Sequence, residues 1–474
     1  MASRRVFIIT LGVAVLGLFL YGTLRYPAHR GSTNIPTASE GSRAKVNASL
    51  LHAQPICPTP PQTPNPYDPA LFLRGPPTPH FRDNLRPEVQ YITTWIPGGF
   101  TNDVMALANL IYVAIQSDRI PIIPEFSGYR GEWEAGFISF GEVFDIPQLS
   151  AALRIPILEW NQVKDYHGET RESDELGCWS VWAPYGGDPN PRGSFFTTES
   201  RASIDCSYTP IKEPVKLLDM NNPDDAHINL NKLAKLGDRE MYDKIMQTHK
   251  PESFPPWHPN VLPPDFQLMC TDFLYWASVL EPFEWFTNFS PGWKIARHFK
   301  WSPKLQSLGQ EYLRRLLAVP PTEAIPAFIT VHVRRNDFNA WCNGVPQEEC
   351  FASLDTYEVR VREIQAELEA LPELVGQGPF KVIVTSDESD PEWWQQVRKR
   401  GWLTIDHSPT GEDTESKYGT WYSALVDIAI ASMGKGFVGT GQSTMSLLSR
   451  RRVEEWNGGV TRMVKWGHAG ADDH

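Results

Sequence analysis

The 474-residue chain has no Cys-x-x-Cys pair and no histidine at metal-ligand spacing from its six cysteines (Cys57, Cys178, Cys206, Cys270, Cys342, Cys350). A structural zinc is therefore not expected, and disulfides are the better reading of the cysteines. Positive charge is also short: 44 Lys and Arg against 56 Asp and Glu leave a net charge of −12. Such a balance removes the sequence-independent attraction to phosphate backbones, so no nucleic-acid partner is expected. There is no repeat of fixed period, and the first glycine-rich turn is not a G-x-G-x-x-G, so no dinucleotide fingerprint is present.

A long apolar run occurs at the amino-terminal edge, where Val6 to Leu24 follows Arg4 and Arg5. It is long enough to span a bilayer, and its flank Tyr21-Gly-Thr-Leu-Arg25 lacks a small-x-small cleavage site, so residues 6–24 read as an uncleaved signal anchor behind a cytoplasmic tail, 1–5. Arg25 and Arg30 follow the span, so flanking charge says little about its orientation. Residues 25–86 are rich in Pro, Ser, Thr and Gly (Pro55, Pro58, Pro60, Pro61, Pro64, Pro66, Pro76, Pro77, Pro79). Too little apolar surface is available there to offset ordering entropy, and a disordered, partly polyproline stem is expected. Asn47-Ala-Ser and Asn288-Phe-Ser would accept glycans in a lumenal chain. Anchor, stem and even cysteine count together point to a single-pass type II protein of the endoplasmic reticulum or Golgi membrane, its long carboxyl-terminal part in the lumen. Cys342 and Cys350 bracket a short Gly/Pro-containing loop that a bridge would stiffen, and Cys178 with Cys206 could close the polar loop between them, although connectivity does not follow from sequence.

The alternating run Ala327-Phe-Ile-Thr-Val-His-Val-Arg334 reads as a strand that delivers an arginine to its carboxyl end, where open α/β sheets bind ligands. A guanidinium is a planar fork that matches phosphate oxygens bidentately and stays charged at any accessible pH. Phe380 to Ser386 is a second such strand, ending on Asp387. Gly436 to Thr440 is a third, running into Gly441-Gln-Ser-Thr-Met-Ser446, where Ser443 or Thr444 can cap a helix beginning near Leu447. A helix amino terminus carries partial positive charge and suits an anion. Earlier, the strand Val89 to Trp95 leads through Pro97-Gly98-Gly99 to an apolar stretch, Val104 to Ile115, expected to be a buried crossover helix with Thr101 or Asn102 at its cap. The run Asp387-Glu388-Ser389-Asp390 is better taken as a strand end and helix cap than as a metal cluster. Asp427, on the narrow polar face of an apolar helix from Tyr418 to Met433 with Thr420 and Ser423, needs a partner, either structural or near a cleft. Trp393 and Trp394 could stack on sugars but are more simply core.

Taken in order, Gly98-Gly-Phe-Thr-Asn-Asp103, the phrase Phe144-Asp145-Ile146, His332-Val-Arg334 with Asp337 and Cys342 after it, Asp387, and Gly439-Thr-Gly-Gln-Ser-Thr444 resemble the GDP-fucose protein O-fucosyltransferases and their superfamily over roughly residues 88 to 465. That resemblance implies an α/β protein of GT-B type, with two Rossmann-like domains facing across a cleft: residues 87–315 on the acceptor side and 316–474 on the nucleotide-sugar side. It further implies inverting transfer of fucose from GDP-fucose with no metal or other cofactor. In that reading Arg334 holds the β-phosphate and stabilises the departing GDP, His332 supports the strand end, and Asp387 contacts guanine or ribose. Ser443 and Thr444 bind phosphate, and Gly99, Phe100, Thr101 and Asn102 lie against the fucose and its phosphate. Some relatives carry a glutamate base in the first turn. Here only Asp103 is available, either as that base or as an acidic residue suited to a helix start. The acceptor stays open between a Ser/Thr hydroxyl of a secreted protein and a glycan hydroxyl. A silent membrane-anchored sugar-binding protein on the same fold is the reading from another class.

Overall fold

Short apolar runs ending in glycine or acidic turns, each followed by a helical stretch, give repeated strand–helix units. In the computed structural model they assemble into two main sheets whose strand pairs are all parallel, beside two small two-stranded sheets among the described residues. The structure describes residues 65–128, 135–168, 172–182, 191–211, 228–247, 261–280, 283–287 and 290–473. The apolar segment 6–24, Asn47, Cys57 and Asn288 lie outside these residues, and among the described residues no helix is long and apolar enough to cross a membrane.

The first sheet contains β1 (Tyr91–Thr94), β2 (Ile120–Ile123), β3 (Leu158–Glu159), β4 (Asp174–Ser180), β5 (Ile204–Pro210) and β6 (Leu268–Thr271), in the order β3-β2-β1-β6-β4-β5. Between β1 and β2 runs α1 (Phe100–Gln116), buried almost continuously from Asp103 to Ala114 as its all-round apolar pattern predicts. The second sheet contains β7 (Phe328–Val333), β8 (Lys381–Ser386), β9 (Gly436–Thr440) and β10 (Val460–Val464), in the order β8-β7-β9-β10. Around it lie α2 (Pro303–Leu316), α3 (Leu354–Glu369), α4 (Tyr422–Ala431) and α5 (Thr444–Asn457). Register fixes the functional edge: Val333 pairs with Ser386, and His332 with both Thr385 and Gly439. The carboxyl ends of β7, β8 and β9 therefore finish level, and the residues that follow them meet.

Apolar packing joins the predicted 87–315 and 316–474 parts, and each also has a cluster of its own, around Tyr91, Trp160 and Leu268 in the first and around Ile329, Val361 and Val438 in the second. A single apolar cluster runs from Ile92, Leu107 and Ile111 to Phe328, Ile383, Leu425 and Leu447, and residues 66–474 form one compact unit. The end of the predicted stem also belongs to this body. Phe81 and Leu85 are fully buried, the Phe81 ring meets Trp160 edge-on at 5.6 Å, and Asn84 Nδ2 donates to the carbonyls of Gln162 (3.0 Å) and Val163 (3.2 Å). The prolines of that segment hid its few apolar anchors, Leu73, Phe81 and Leu85, which suffice because they join the apolar cluster that contains Trp160.

Cys342 and Cys350 are bridged. Cys178 pairs with Cys270, not with Cys206, which is a buried free thiol. Register explains the correction. On β5 Cys206 lies opposite Leu176 and Tyr208 lies opposite Cys178, whereas β6 brings Cys270 to 4.4 Å from Cys178 in Cα separation.

Candidate active site

Arg334 leaves the end of β7 with its backbone N–H donating to Thr440 Oγ1 at 2.8 Å. Thr440 Oγ1 also lies 2.7 Å from the Tyr357 hydroxyl and 3.2 Å from the His332 carbonyl. One helical turn on, Ser446 Oγ accepts from the Thr440 amide at 3.0 Å and sits 2.6 Å from His332 Nδ1. Gly439 permits this approach, since a Cβ there would fall 2.7 Å from that of Ser446. His332 is buried, and burial, together with the nearby Arg334 charge, lowers its pKa to about 3. It is thus a neutral brace for the strand end.

The Arg334 guanidinium bridges two carboxylates, Asp337 at 2.8 Å and Asp387 at 3.2 Å, with a third of its surface open. Arg335 turns the other way, pairing with Glu388 and lying over the Phe351 ring at 4.8 Å. Asp387, expected on the guanine or ribose, is engaged with these two arginines: Oδ1 accepts the Arg335 amide at 2.8 Å while Oδ2 faces Arg334. Burial raises its pKa against the opposing pull of Arg334. Asp390 caps the helix Pro391–Lys399 by accepting from the Glu392 amide at 2.9 Å. Trp393 is core, and Trp394 Nε1 donates to the Glu388 carbonyl at 2.8 Å.

Across from this edge stands the start of α1. Its cap is Gly99, with no side-chain hydrogen bond, so Thr101 and Asn102 lie within the first turn and are not the caps predicted. Asp103 points inward. It is fully buried, and its Oδ1 accepts the Gly98 amide at 2.8 Å, an approach so close that a Cβ on Gly98 would lie 2.8 Å from that oxygen and 2.9 Å from the Phe273 ring. Burial pushes its pKa well above the usual carboxylate range. Asp103, left open as either a base or an acidic residue suited to a helix start, thus shapes the turn and faces away from solvent. Phe100 packs on Phe126 at 4.9 Å, with Phe144 and Trp421 farther out at 6.4 and 6.3 Å.

The two edges touch. Thr444 Oγ1 donates to Asn102 Oδ1 at 2.7 Å and lies 2.8 Å from Thr101 Oγ1. Thr444 opens α5, one position after Ser443, whose side chain caps the helix by accepting from the Ser446 amide at 3.3 Å. Between Gly441 and Ser443, Gln442 adopts a left-handed φ of 65°, a conformation non-glycine residues take at a cost of about 1 kcal/mol or more. The amino termini of α1 and α5 meet through Thr444, just beyond the β9 end that receives the Arg334 amide, and each adds partial positive charge. The arrangement can hold a pyrophosphate and stabilise the charge it acquires when a bond to it breaks.

Sequence reasoning missed Thr440, Ser446 and Tyr357, though the density of hydroxyls from Thr440 to Ser446 was a signal. It also missed Asp272, at the end of β6. This carboxylate, with a pKa raised to about 7 by burial, accepts from the amides of Val181 (2.7 Å), Trp182 (3.1 Å) and Arg192 (3.2 Å) beside the Gly98 turn. Asp427 finds its partner in His407, at 3.0 Å from Nε2; His407 Nδ1 lies 2.8 Å from Thr414, which in turn meets the Tyr312 hydroxyl at 2.7 Å. That chain braces the packing of α2 and α4 and involves none of the residues around Arg334.

The sequence profile of the family described as GDP-fucose protein O-fucosyltransferase matches residues 91–454. No curated protein sequence matches the chain. Among solved structures, POFUT1 in complex with GDP-fucose is similar at 17% identity over 80% of this chain and 98% of that one, with a TM-score of 0.46. The NodZ fucosyltransferase from Bradyrhizobium is similar at 12% identity over 77% and 92%, with a TM-score of 0.36. NodZ alpha-1,6-fucosyltransferase co-crystallized with GDP gives the same values, 12%, 77%, 92% and 0.36.

Proposed function

The chain belongs to the GDP-fucose protein O-fucosyltransferase family, and on that premise we propose that it moves fucose from GDP-fucose to a Ser or Thr hydroxyl of a secretory-pathway protein, with inversion and without a metal. The observation that carries this reading is the contact between the amino termini of α1 and α5, Asn102 with Thr444, next to the β9 end whose Thr440 receives the Arg334 amide. When the bond from fucose C1 to the β-phosphate oxygen breaks, its electrons go to the pyrophosphate. The Arg334 fork and two helix amino termini supply positive charge there without an ion. The acceptor oxygen attacks C1 from the opposite face, which inverts the centre. With Asp103 facing inward, the acceptor proton leaves to solvent or to a phosphate oxygen, in keeping with late proton transfer in a dissociative transition state.

Two parallel sheets with their ligand edges apposed suit a GT-B arrangement, in which nucleotide and acceptor approach from the two halves. The two disulfides accord with an oxidising compartment, supporting a lumenal catalytic part behind the segment 6–24. The test is GDP release from GDP-fucose by the full-length protein, with UDP- and ADP-sugars as controls, with and without chelator, over acceptors that include folded secreted domains and free glycans. Chelator-insensitive release stimulated by protein acceptors is expected. A Mn²⁺ requirement would overturn the metal-free mechanism, stimulation by glycans alone would reassign the acceptor, and no release under any condition would favour the silent sugar-binding reading.

A further inference from the structure

We infer that Thr444 is a positioning residue that works through Asn102, turning the Asn102 amide group toward the leaving pyrophosphate; this rests on the transfer reading above. A threonine hydroxyl has one hydrogen, and a carboxamide oxygen can only accept. At 2.7 Å from Asn102 Oδ1, Thr444 gives its hydrogen to that oxygen, which leaves the Thr101 hydroxyl, at 2.8 Å, as the donor to Thr444 Oγ1. The chain of donors therefore runs one way, from Thr101 through Thr444 to Asn102. A carboxamide held by its oxygen presents its Nδ2 hydrogens on the other branch, and among the described residues no group accepts from Asn102 Nδ2 through a side-chain hydrogen bond. The result is a fixed neutral donor where the amino termini of α1 and α5 meet. Released from Thr444, the carboxamide can turn over and aim lone pairs at an anion.

Two consequences distinguish this role from a direct phosphate contact. The Thr444 hydroxyl gives its hydrogen to Asn102 and accepts from Thr101, so in this role its side chain acts on phosphate through Asn102 while its backbone amide is free to act directly. In addition, Thr444 belongs to α5 beside the second sheet and Asn102 to α1 beside the first, so the donor is oriented only while the two edges are in contact.

The experiment is a double-mutant cycle with the full-length protein, using Thr444→Val, Asn102→Ala and the pair, read both by GDP affinity in calorimetry and by turnover of GDP-fucose, with Thr444→Ser as the conservative variant. Thr444→Val should lower kcat about tenfold and weaken GDP about three- to tenfold, and Asn102→Ala should lower kcat by about 10²-fold. In the Asn102→Ala background, Thr444→Val should add less than about twofold to either quantity. Thr444→Ser should stay within about threefold of the wild type. Equal effects of Thr444→Val with and without Asn102, or failure of serine to restore function, would overturn the proposal. Coupled GDP binding in a protein that never turns over GDP-fucose would leave the proposal standing and remove the transfer reading. Turnover with uncoupled effects would do the reverse.

Discussion

Replacing Arg334 with lysine keeps one positive charge and removes the fork. The guanidinium gives one terminal nitrogen to Asp337 and the other to Asp387, so a phosphate takes the fork only by sharing or displacing those carboxylates, which a planar bidentate group can do and an ammonium, a point charge, cannot match. If that fork stabilises the departing GDP, turnover should fall by roughly 10²–10³, about 3–4 kcal/mol of transition-state stabilisation. Folding should barely change. Both ion pairs are partly solvent-exposed, so their loss should cost no more than about 1 kcal/mol, a shift of about 2 °C or less in Tm for a body of this size. Arg335→Lys is the internal control. Its side chain lies over Phe351 and Trp393 and pairs with Glu388, so lysine should lose roughly 0.5–2 kcal/mol of packing and leave turnover within about threefold. GDP release and thermal melting, measured on both variants, decide the matter. Equal losses of turnover at the two positions, or a loss at Arg334 that follows unfolding, would refute the leaving-group role.

Removing the Cys178–Cys270 bridge, which closes 92 residues, should destabilise by about 4–5 kcal/mol in denaturant titration, against about 2–3 kcal/mol for Cys342–Cys350, which closes 8. Asp103→Asn keeps an oxygen for the Gly98 amide and removes a buried ionisable group, so turnover should persist within a few-fold, where loss of a general base would cost about 10²-fold or more. Because the folded pKa of Asp103 is raised, its ionisation costs stability as pH climbs past its unfolded value near 4, and the advantage of the asparagine variant should grow above that pH and vanish below it. His332 has the opposite sign. With a folded pKa of about 3 against about 6.5 unfolded, it leaves stability intact above pH 6.5 and erodes it as pH falls toward 3, by up to about 1.4 kcal/mol per pH unit. Urea midpoints at pH 7, 5 and 4 should show a shallower slope for His332→Gln than for wild type.

The second sheet was readable because its strands are apolar runs bounded by glycine or acid. Gly436–Thr440 was read to the residue, and Phe328–Val333 and Lys381–Ser386 nearly so. What escaped depends on distant partners. The helix read from Tyr418 to Met433 is interrupted at Gly419, whose φ of 105° ends Thr414–Tyr418 before α4 begins, and periodicity alone cannot see such a break. The partner of Cys178 follows from β6 lying beside β4, a pairing fixed by residues nearly a hundred positions apart in the chain. Thr101 and Asn102 looked like caps because their residue types suit that place, yet Gly99 takes it and frees both side chains to reach Thr444. The inward turn of Asp103 and the hold of Asp387 on the arginines were likewise invisible, since a carboxylate in sequence does not announce which way it faces.

The contact between Thr444 and Asn102 joins positions 342 residues apart, which bears on how the protein is made. At roughly 5–20 residues per second, the first glycine turn waits on the order of half a minute at the ribosome before its counterpart is synthesised, and the apolar cluster shared by the two sheets stays open just as long. A transcript that terminates before residue 444 would yield a chain whose first sheet can pair its strands while presenting unfilled apolar surface and half of a binding edge. Such a product is a client for chaperones and for degradation, so biosynthetic surveillance, more than any loss of chemistry, would set the cellular level of late truncations.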